Sequence, residues 1–438
     1  MSLCPKKVNF FIHIENQWLD LLKNEQYLPI IHKINHSEEC SKKIPLTSFI
    51  FYLLSGMKSQ KIIILATVFV DVLGFGIVIP ILPFYLNEFG ASPSVITILF
   101  SIYSFCAFLS SPILGSLSDR IGRKPVILLS IFSTSAGWFV FASAASIPML
   151  FLGRIIDGLA AGNFSTAQSF LVDISHDEKD RIKNLGLIGA TFGIGFILGP
   201  LFGGILSTVT HAFPFYVAGS MALLNGISAL FLLKESNFHR NTGAMRFNPF
   251  LPIIRAINLP QLRSLFLIWF LFALSFVTIQ TVFALFTQNV FGFGSFSTSL
   301  LFTIMGLTIL VNQVYLLNKV WMHRFTANEV ERIMLVFTVT GTLIAASGHV
   351  VLFLLALPLL GTSQAILRVV TTNKAVNAVP RELKGEIIGT NVSIMTVAMV
   401  LGPLVAGRLF EVAPSLPFLL SALFASIALI MSIRWHRN

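Results

Sequence analysis

A few charged side chains lie inside long apolar stretches of this sequence, where charge is costly and usually serves a function. Asp71 stands halfway along the run LATVFVDVLGFGIVIPILP, with no Lys or Arg within a helical turn. A charge in hydrocarbon costs at least about 2.5–3.5 kcal/mol. An isolated carboxyl group there is therefore expected to load and release a proton or to bind a cationic group. The alternative is a permanent ion pair with Arg154 or Arg368.

A second set of polar side chains lies deeper in the chain. Arg154 and Asp157 are three residues apart, a spacing that places both on one face of a helix and makes a local ion pair the default expectation. Arg368 could attract an anionic substrate group or neutralise the acid of the first stretch. Gln280 and Gln313 are neutral candidates for the wall of a polar cavity, with hydrogen bonding between helices as the alternative.

Several kinds of chemistry have no matching pattern in the sequence. The three cysteines, Cys4, Cys40 and Cys106, lack metal-binding or redox spacing. The sequence contains no H-E-x-x-H motif and no nucleophile elbow, so we do not expect an enzyme or a bound metal. It also lacks a G-x-x-x-x-G-K-[ST] loop, which argues against ATP as an energy source.

The elements that would position these residues are long apolar segments. The chain has 438 residues, of which 55% are hydrophobic and 11% are charged. A helix needs about 20 apolar residues to cross a bilayer, and the runs are continuous where barrel strands would alternate. The pattern predicts an all-α polytopic membrane protein of twelve helices. The predicted spans are residues 61–84, 93–117, 125–145, 147–173, 184–209, 212–233, 263–288, 297–318, 332–347, 350–376, 385–409 and 417–434.

The distribution of basic residues predicts the orientation of these spans. The formal net charge is +11, which in a soluble protein would suggest nucleic acid as a partner. Here the Lys and Arg residues cluster in alternate loops and at the two ends of the chain, except for Arg154 and Arg368 within spans and Arg408 on the other side. Because basic loops stay in the cytoplasm, we expect a multi-pass protein of the inner (cytoplasmic) membrane with both termini cytoplasmic.

The sequence divides into a tail and two halves. Residues 1–56 are rich in Asn, His, Lys and Glu and are predicted to be a cytoplasmic tail; Met57 followed by KSQKIIIL suggests that translation begins there and that the tail is not translated. Residues 57–233 are predicted to form the first six-helix bundle. Residues 234–262 form a central cytoplasmic loop, and residues 263–438 form the second bundle with a short cytoplasmic tail.

An internal repeat supports this division into halves. Four residues of the fifth span recur in the eleventh at a constant offset of 203 residues. They are Gly186, Gly199, Pro200 and Gly204, which recur as Gly389, Gly402, Pro403 and Gly407. Two pseudo-symmetric six-helix bundles with a binding cavity at their interface are a recurrent transporter architecture.

The loop between the second and third spans carries a family resemblance. Its sequence, GSLSDRIGRKP, resembles the signature loop of the major facilitator superfamily, G-x-L-x-D-R-x-G-R-K. Gly115 would permit a close helix approach, and Gly122 would turn the chain in a short loop. By this resemblance, Asp173 at the end of the fourth span is expected to make gating charge contacts near the loop. The matching residues are Gly115, Asp119, Arg120, Gly122, Arg123 and Lys124.

The fifth span resembles the antiporter motif of the same superfamily, G-x-x-x-G-P-x-x-G-G. Gly195, Gly199 and Gly203 are four residues apart and so share one helical face, where small residues allow close packing. Pro200 is expected to bend the helix, and Gly204 completes the motif. The alternative is that these glycines serve only the close helix packing that small residues generally allow. The first span resembles the opening helix of the drug:proton antiporters, including the tetracycline efflux proteins, and the fourth span also resembles its family counterpart.

The second half departs from the family pattern. The loop after the eighth span reads NKVWMHRFTANE and lacks the Asp and the glycines, so the first-half loop is expected to act alone as the gate latch. Gln280 stands where many relatives carry a glutamate. In the first half, the resemblance implies a role for Arg154 in proton transfer.

The resemblance implies a proton-coupled transporter that exports a small amphipathic compound, such as a tetracycline-like drug, by alternating access. Its expected partners are the substrate, protons and the lipid bilayer, without nucleic acid, and it is expected to be a monomer. No cofactor is expected, because the proton gradient supplies the energy. Uptake of a nutrient or metabolite is the alternative within transporters, and a non-transporting membrane sensor is the alternative outside them.

Overall fold

The computed structural model describes residues 59–237, 250, 254, 260–380 and 383–435. Within these residues the secondary structure is helical, without strands. The predicted tail and most of the predicted central loop lie outside the described residues.

Twelve membrane helices follow one another in the described part of the chain, as predicted. Two of them contain an irregular segment and are numbered here as single elements. The helices are α1 (Ser59–Asn87), α2 (Pro93–Ile121), α3 (Arg123–Ala142), α4 (Ile147–Asp173), α5 (Glu178–Leu206), α6 (Phe213–Leu232), α7 (Pro260–Phe291), α8 (Ser295–Arg324), α9 (Ala327–Ala345), α10 (Val350–Asn377), α11 (Lys384–Val412) and α12 (Leu416–Trp435).

Eleven of these helices are apolar and long enough to cross a membrane, and α9 differs from them. Its first turns hold Glu329, Glu331 and Arg332. Glu331 is nevertheless fully buried, and Lys374 of α10 pairs with it at 2.5 Å. A paired charge can be buried at the end of a membrane helix where an unpaired one would be prohibitive.

Two helices depart from regular α geometry. Helix α4 is broken at residues 160–162, where Gly162 passes so close to α2 that a Cβ atom on it would lie 2.7 Å from Leu114. Helix α8 contains a π-helical segment, Asn312–Trp321. Such segments are often found at functional sites, and neither irregularity follows from the apolar pattern.

The packing of the helices shows two pseudo-symmetric bundles of six. Within the first bundle α1 packs on α5 and α6, and the equivalent helices of the second bundle, α7 on α11 and α12, pack in the same way. Between the bundles, α2 packs on α11 and α5 packs on α8. The pseudo-symmetry that relates the two bundles also relates these two contacts to each other.

The predicted glycine repeat is reproduced in these contacts. A Cβ atom on Gly204 of α5 would meet Ser299 of α8 at 2.6 Å, and one on the equivalent Gly407 of α11 would meet the Cα of Ser94 of α2 at 2.8 Å. Both glycines therefore lie at equivalent contacts between the bundles, where only a hydrogen atom fits.

The bundles meet at one end of the molecule and separate at the other. At the end where α1 joins α2, the Asn87 side chain donates to Gln288 at 3.0 Å and the Ser94 backbone N–H donates to Glu411 at 3.0 Å. At the other end, called here the signature-loop end because it holds residues 115–125, no atom of another described helix lies within 4 Å of the Cβ positions of Gly186 or Gly389. The space between the bundles therefore opens toward the signature-loop end.

Candidate functional site

Asp71 lies in the middle of α1 and is partly exposed. Its Oδ1 accepts a hydrogen bond of 3.2 Å from the Asn163 side-chain amide, which follows the break in α4. Among the described residues it pairs with neither Arg154 nor Arg368, so the structure does not show the permanent ion pair considered above. The break in α4 thus places a neutral donor, and not a cation, beside this carboxyl group.

Arg154 and Asp157 form the local pair that their spacing predicts. The Arg154 Nη1 lies 3.2 Å from the Asp157 Oδ2, and only 2% of the Arg154 side chain is exposed. The guanidinium also lies over two rings, 4.3 Å from the centre of Tyr103 and 5.4 Å from that of Trp138. An ion pair inside the bundle is stable only when its partners stay together, because desolvation of either charge alone costs several kcal/mol.

Glycines bring α3 and α4 close enough to enclose this pair. A Cβ atom on Gly153 would lie 2.9 Å from the Gly137 carbonyl oxygen, and one on Gly137 would lie 3.0 Å from the Asp157 Cβ. On the other side of α4, a Cβ on Gly158 would lie 2.8 Å from the Tyr103 carbonyl oxygen. The close approach leaves both side chains of the pair buried.

The second bundle contains an aromatic pocket of about 500 Å³, measured with its open mouth. It lies among α7, α8, α9 and α10, with Phe196 contributed by α5 of the first bundle. Its polar groups are neutral side chains, and its apolar ones are dominated by phenylalanine. The lining residues are Phe196, Phe272, Phe276, Ile279, Gln280, Phe283, Phe302, Met305, Ile309, Thr338, Leu360, Ser363 and Gln364.

Gln280 lies where this pocket meets a second one. The second pocket, of about 330 Å³ including its open mouth, lies between the bundles. Its lining includes Phe75 and Tyr103 from the first bundle and Gln280 and Thr281 from the second. Within the described part of the chain, the Gln280 amide has no hydrogen-bond partner. It is therefore available to a bound molecule in either pocket.

Arg368 and Gln313 have different environments. Arg368 of α10 is exposed, and its guanidinium lies 5.9 Å from the ring centre of Phe192 in α5 of the opposite bundle. Gln313 lies in the π-helical segment of α8, is exposed, and lines neither pocket.

The signature loop is tied together by ion pairs across three helices. Arg123, the first residue of α3, reaches Asp119 of α2 at 2.5 Å and Asp173 of α4 at 3.1 Å. Its Nη1 also donates to Ser118 at 2.6 Å. Gly122 has a φ of +111°, which only glycine adopts without strain.

One residue of this cluster was not singled out from the sequence. The carboxylate of Glu235, just after α6, accepts from the backbone N–H groups of Arg123 at 2.8 Å and Lys124 at 3.2 Å. It thus caps the start of α3, and a Cβ on Gly122 would collide with it. Burial raises the pKa of Glu235, but hydrogen bonds from four backbone N–H groups outweigh burial and lower it. An acid that follows an apolar span is an unspecific signal in a sequence.

Two further loop residues behave differently from each other. Lys124 donates through Nζ to the Leu230 carbonyl oxygen at 2.9 Å and so ties α3 to α6. The sequence predicts a close helix approach at Gly115, but no atom of another described helix lies within 4 Å of its Cβ position. That expectation is wrong for this conformation, because the bundles are apart at this end.

The antiporter-like motif of α5 packs on the helix that carries Asp71. A Cβ on Gly199 would lie 2.8 Å from the Gly76 Cα of α1, and one on Gly195 would lie 3.1 Å from Val72. Gly203 faces Ile77 on the same helix. The predicted shared face is confirmed, and Pro200 is contained within the helix.

Comparison with known protein families is in keeping with this architecture. A sequence profile of the Major Facilitator Superfamily matches residues 64–328, which is more than half of the chain. The chain belongs to the Major Facilitator Superfamily. It is therefore a multi-pass membrane transporter, as the signature loop and the two bundles predict.

Similar proteins of this superfamily span nearly the whole chain. The quinolone resistance protein NorA of Staphylococcus aureus (strain MSSA476) is 26% identical over 385 residues, covering 87% of this chain and 98% of NorA. The multidrug resistance protein 2 of Bacillus subtilis (strain 168) is 26% identical over 397 residues, covering 88% and 97%. The crystal structure of the human organic anion transporter MFSD10 (TETRAN) shares the fold, with a TM-score of 0.64, 21% identity and coverage of 85% and 99%.

Proposed function

We propose that this superfamily member is a proton-coupled exporter of small amphipathic compounds in the plasma membrane. The relatives that match nearly its whole length are named for resistance to quinolones or to multiple drugs. An aromatic pocket with a few neutral polar groups suits compounds of that kind, because apolar surface provides affinity and sparse polar groups orient the ligand.

The charge distribution supports an orientation with the signature-loop end in the cytoplasm. The loops at that end hold the basic clusters, and basic loops remain cytoplasmic. Since the bundles are apart at this end, this orientation would make the described conformation one that is open to the cytoplasm. A substrate would enter the aromatic pocket from the cytoplasm in this state.

The single observation that carries the proposal is the environment of Asp71. Its described partner is the neutral amide of Asn163, and its side chain is partly exposed. A carboxyl group placed in this way can accept a proton when the transporter is open to the outside and release it when it is open to the cytoplasm. Each charge that crosses 100 mV provides about 2.3 kcal/mol, enough for more than a tenfold concentration ratio.

The other charged groups have supporting roles in this proposal. The buried pair of Arg154 and Asp157 fixes α4 and so positions Asn163 beside Asp71. The ion pairs of Arg123 with Asp119 and Asp173 hold α2, α3 and α4 together at the cytoplasmic end, and they act as a latch that changes when the bundles rock.

Everted membrane vesicles test the proposal. With an internal acid gradient and a pH-sensitive dye, addition of an exported compound is expected to release protons, and a panel should include a quinolone, a tetracycline and a lipophilic cation. Proton release on addition of one or more of these, absent from vesicles without the protein, is the expected result. If none of the compounds releases protons, the proposal is contradicted. Movement of a compound only toward the cytoplasmic face would also contradict export.

A further inference from the structure

Arg368 is a charged group for which the described structure provides no counter-charge. Among the described residues its guanidinium forms no ion pair and no hydrogen bond, and it lies 5.9 Å from the ring centre of Phe192. The side chain is exposed, and because Phe192 belongs to the other bundle, it faces the space between the bundles. An unpaired cation in such a place needs a function.

Helical periodicity places Arg368 at the mouth of the aromatic pocket. On α10, Gln364 lines the pocket and Arg368 is one turn away, toward the signature-loop end. On α5, Phe196 lines the pocket and Phe192 is one turn away in the same direction. Helices α5 and α10, from opposite bundles, thus each contribute one residue to the pocket wall. One turn further out, α10 carries the Arg368 guanidinium and α5 carries its neighbour Phe192.

The composition of the pocket favours an anion at this position. None of the residues lining the 500 Å³ pocket is acidic or basic, so a negative group beside Arg368 would meet no carboxylate in the pocket wall. The two acids of the candidate site have partners of their own, since Asp157 is paired with Arg154 and Asp71 accepts from the Asn163 amide. A guanidinium matches a planar carboxylate with two parallel hydrogen bonds.

We infer that Arg368 and the aromatic pocket form a binding site for aromatic carboxylates, with the ring system among the phenylalanines and the carboxylate on Arg368. This inference rests on the proposed transport function and specifies the class of compound that the second bundle binds. The amides of Gln280 and Gln364 would hydrogen-bond polar substituents on the ring.

The test is binding to the purified full-length protein in lipid nanodiscs, with no gradient applied. The probes are 2-naphthoate, which is ionised at neutral pH, and 2-naphthamide, which has a similar shape and is neutral. Titration calorimetry is expected to show at least about tenfold tighter binding of the carboxylate, the size of one charge-assisted interaction. In Arg368→Gln this preference disappears while the amide still binds, and in Arg368→Lys a reduced preference remains.

Arg408→Gln is the matched control and should keep the full preference, since Arg408 is an exposed arginine of α11 near the end of the molecule away from the signature loop. Equal binding of the two probes to the natural protein, binding of neither, or an unchanged preference in Arg368→Gln would overturn the inference. Retained binding of 2-naphthamide shows that Arg368→Gln is folded. If Arg368→Gln does not fold, Arg368→Lys provides the test, and an undiminished preference for the carboxylate in that variant would count against the inference. If the drug panel releases protons in everted vesicles but this binding test fails, the inference about Arg368 is refuted and the proposed transport function stands.

Discussion

The two bundles share one fold but place charge in different ways. The first buries Arg154 with Asp157 and holds Asp71 next to Asn163. The second surrounds a pocket with phenylalanines and neutral polar groups and presents Arg368 at its mouth. This contrast suggests a division of labour in which the first bundle handles protons and the second binds the compound. Gln280, a neutral amide that lines both pockets, keeps this position of the second bundle free of a titratable group.

A second contrast lies at the signature-loop end. The Arg123–Asp173 pair of the first bundle is partly exposed, with Asp173 at 25%, and joins α3 to α4. The second bundle joins the equivalent helices α9 and α10 through Glu331 and Lys374, with the two charges interchanged and Glu331 fully buried. Ser432 of α12 also donates to Glu331 at 2.6 Å. A buried pair suits a permanent connection, and an exposed pair suits one that breaks.

The largest effect is expected from Arg154→Met. This change leaves Asp157 buried without a counter-charge, and breaking a buried ion pair costs about 3–5 kcal/mol. The free energy of unfolding in SDS, or the yield of folded protein, measures the loss. Asp180→Asn is the control, because its partner Lys61 and Asp180 are both partly exposed and such pairs contribute about 0–1 kcal/mol. Equal losses in the two variants would contradict the view that the first bundle depends on a buried charge pair.

The next largest effect distinguishes the two end clusters. Glu331→Gln is expected to lower the free energy of unfolding by about 2–3 kcal/mol, because it weakens charge-assisted bonds to Lys374 and Ser432 in a dry site. Asp173→Asn should lower it by about 1 kcal/mol or less but change the transport rate. SDS unfolding combined with transport assays checks both, and the reverse ranking in stability would show that the roles of the clusters have been misassigned.

A smaller effect compares equivalent glycines. A Cβ on Gly199 would lie 2.8 Å from backbone of α1, whereas one on Gly402 would lie 3.1 Å from the side chain of Val277, which can move. Gly199→Ala is expected to cost about 1–3 kcal/mol and Gly402→Ala less. Gly186→Ala, where a Cβ has open space, serves as the control. Equal melting temperatures for the first two variants would mean that the two bundles tolerate the added methyl group alike.

Local patterns account for what could be predicted from the sequence. Continuous apolar runs predict the helices, the three-residue spacing predicts the Arg154–Asp157 pair, and the four-residue glycine spacing predicts the face that α5 presents to α1. These features depend on residues that are neighbours in the chain, where helix geometry alone determines the contact.

The remaining features of the site depend on residues far apart in sequence. Asn163 bonds to Asp71 across 92 residues, and Glu235 caps α3 across 112. No local periodicity encodes such pairs. The open surroundings of Gly115 depend on the conformational state, which a single sequence does not specify.

The division of labour depends most directly on Asp71. In proteoliposomes, with a compound that the vesicle panel identifies, Asp71→Asn is expected to abolish accumulation driven by a pH gradient while it preserves exchange of labelled for unlabelled compound within about twofold, since the second bundle still binds it. Glu88→Gln, which neutralises an exposed acid just beyond the same helix, should leave both activities intact. Gradient-driven accumulation that survives in Asp71→Asn, or loss of exchange together with accumulation in a correctly folded variant, would contradict the account.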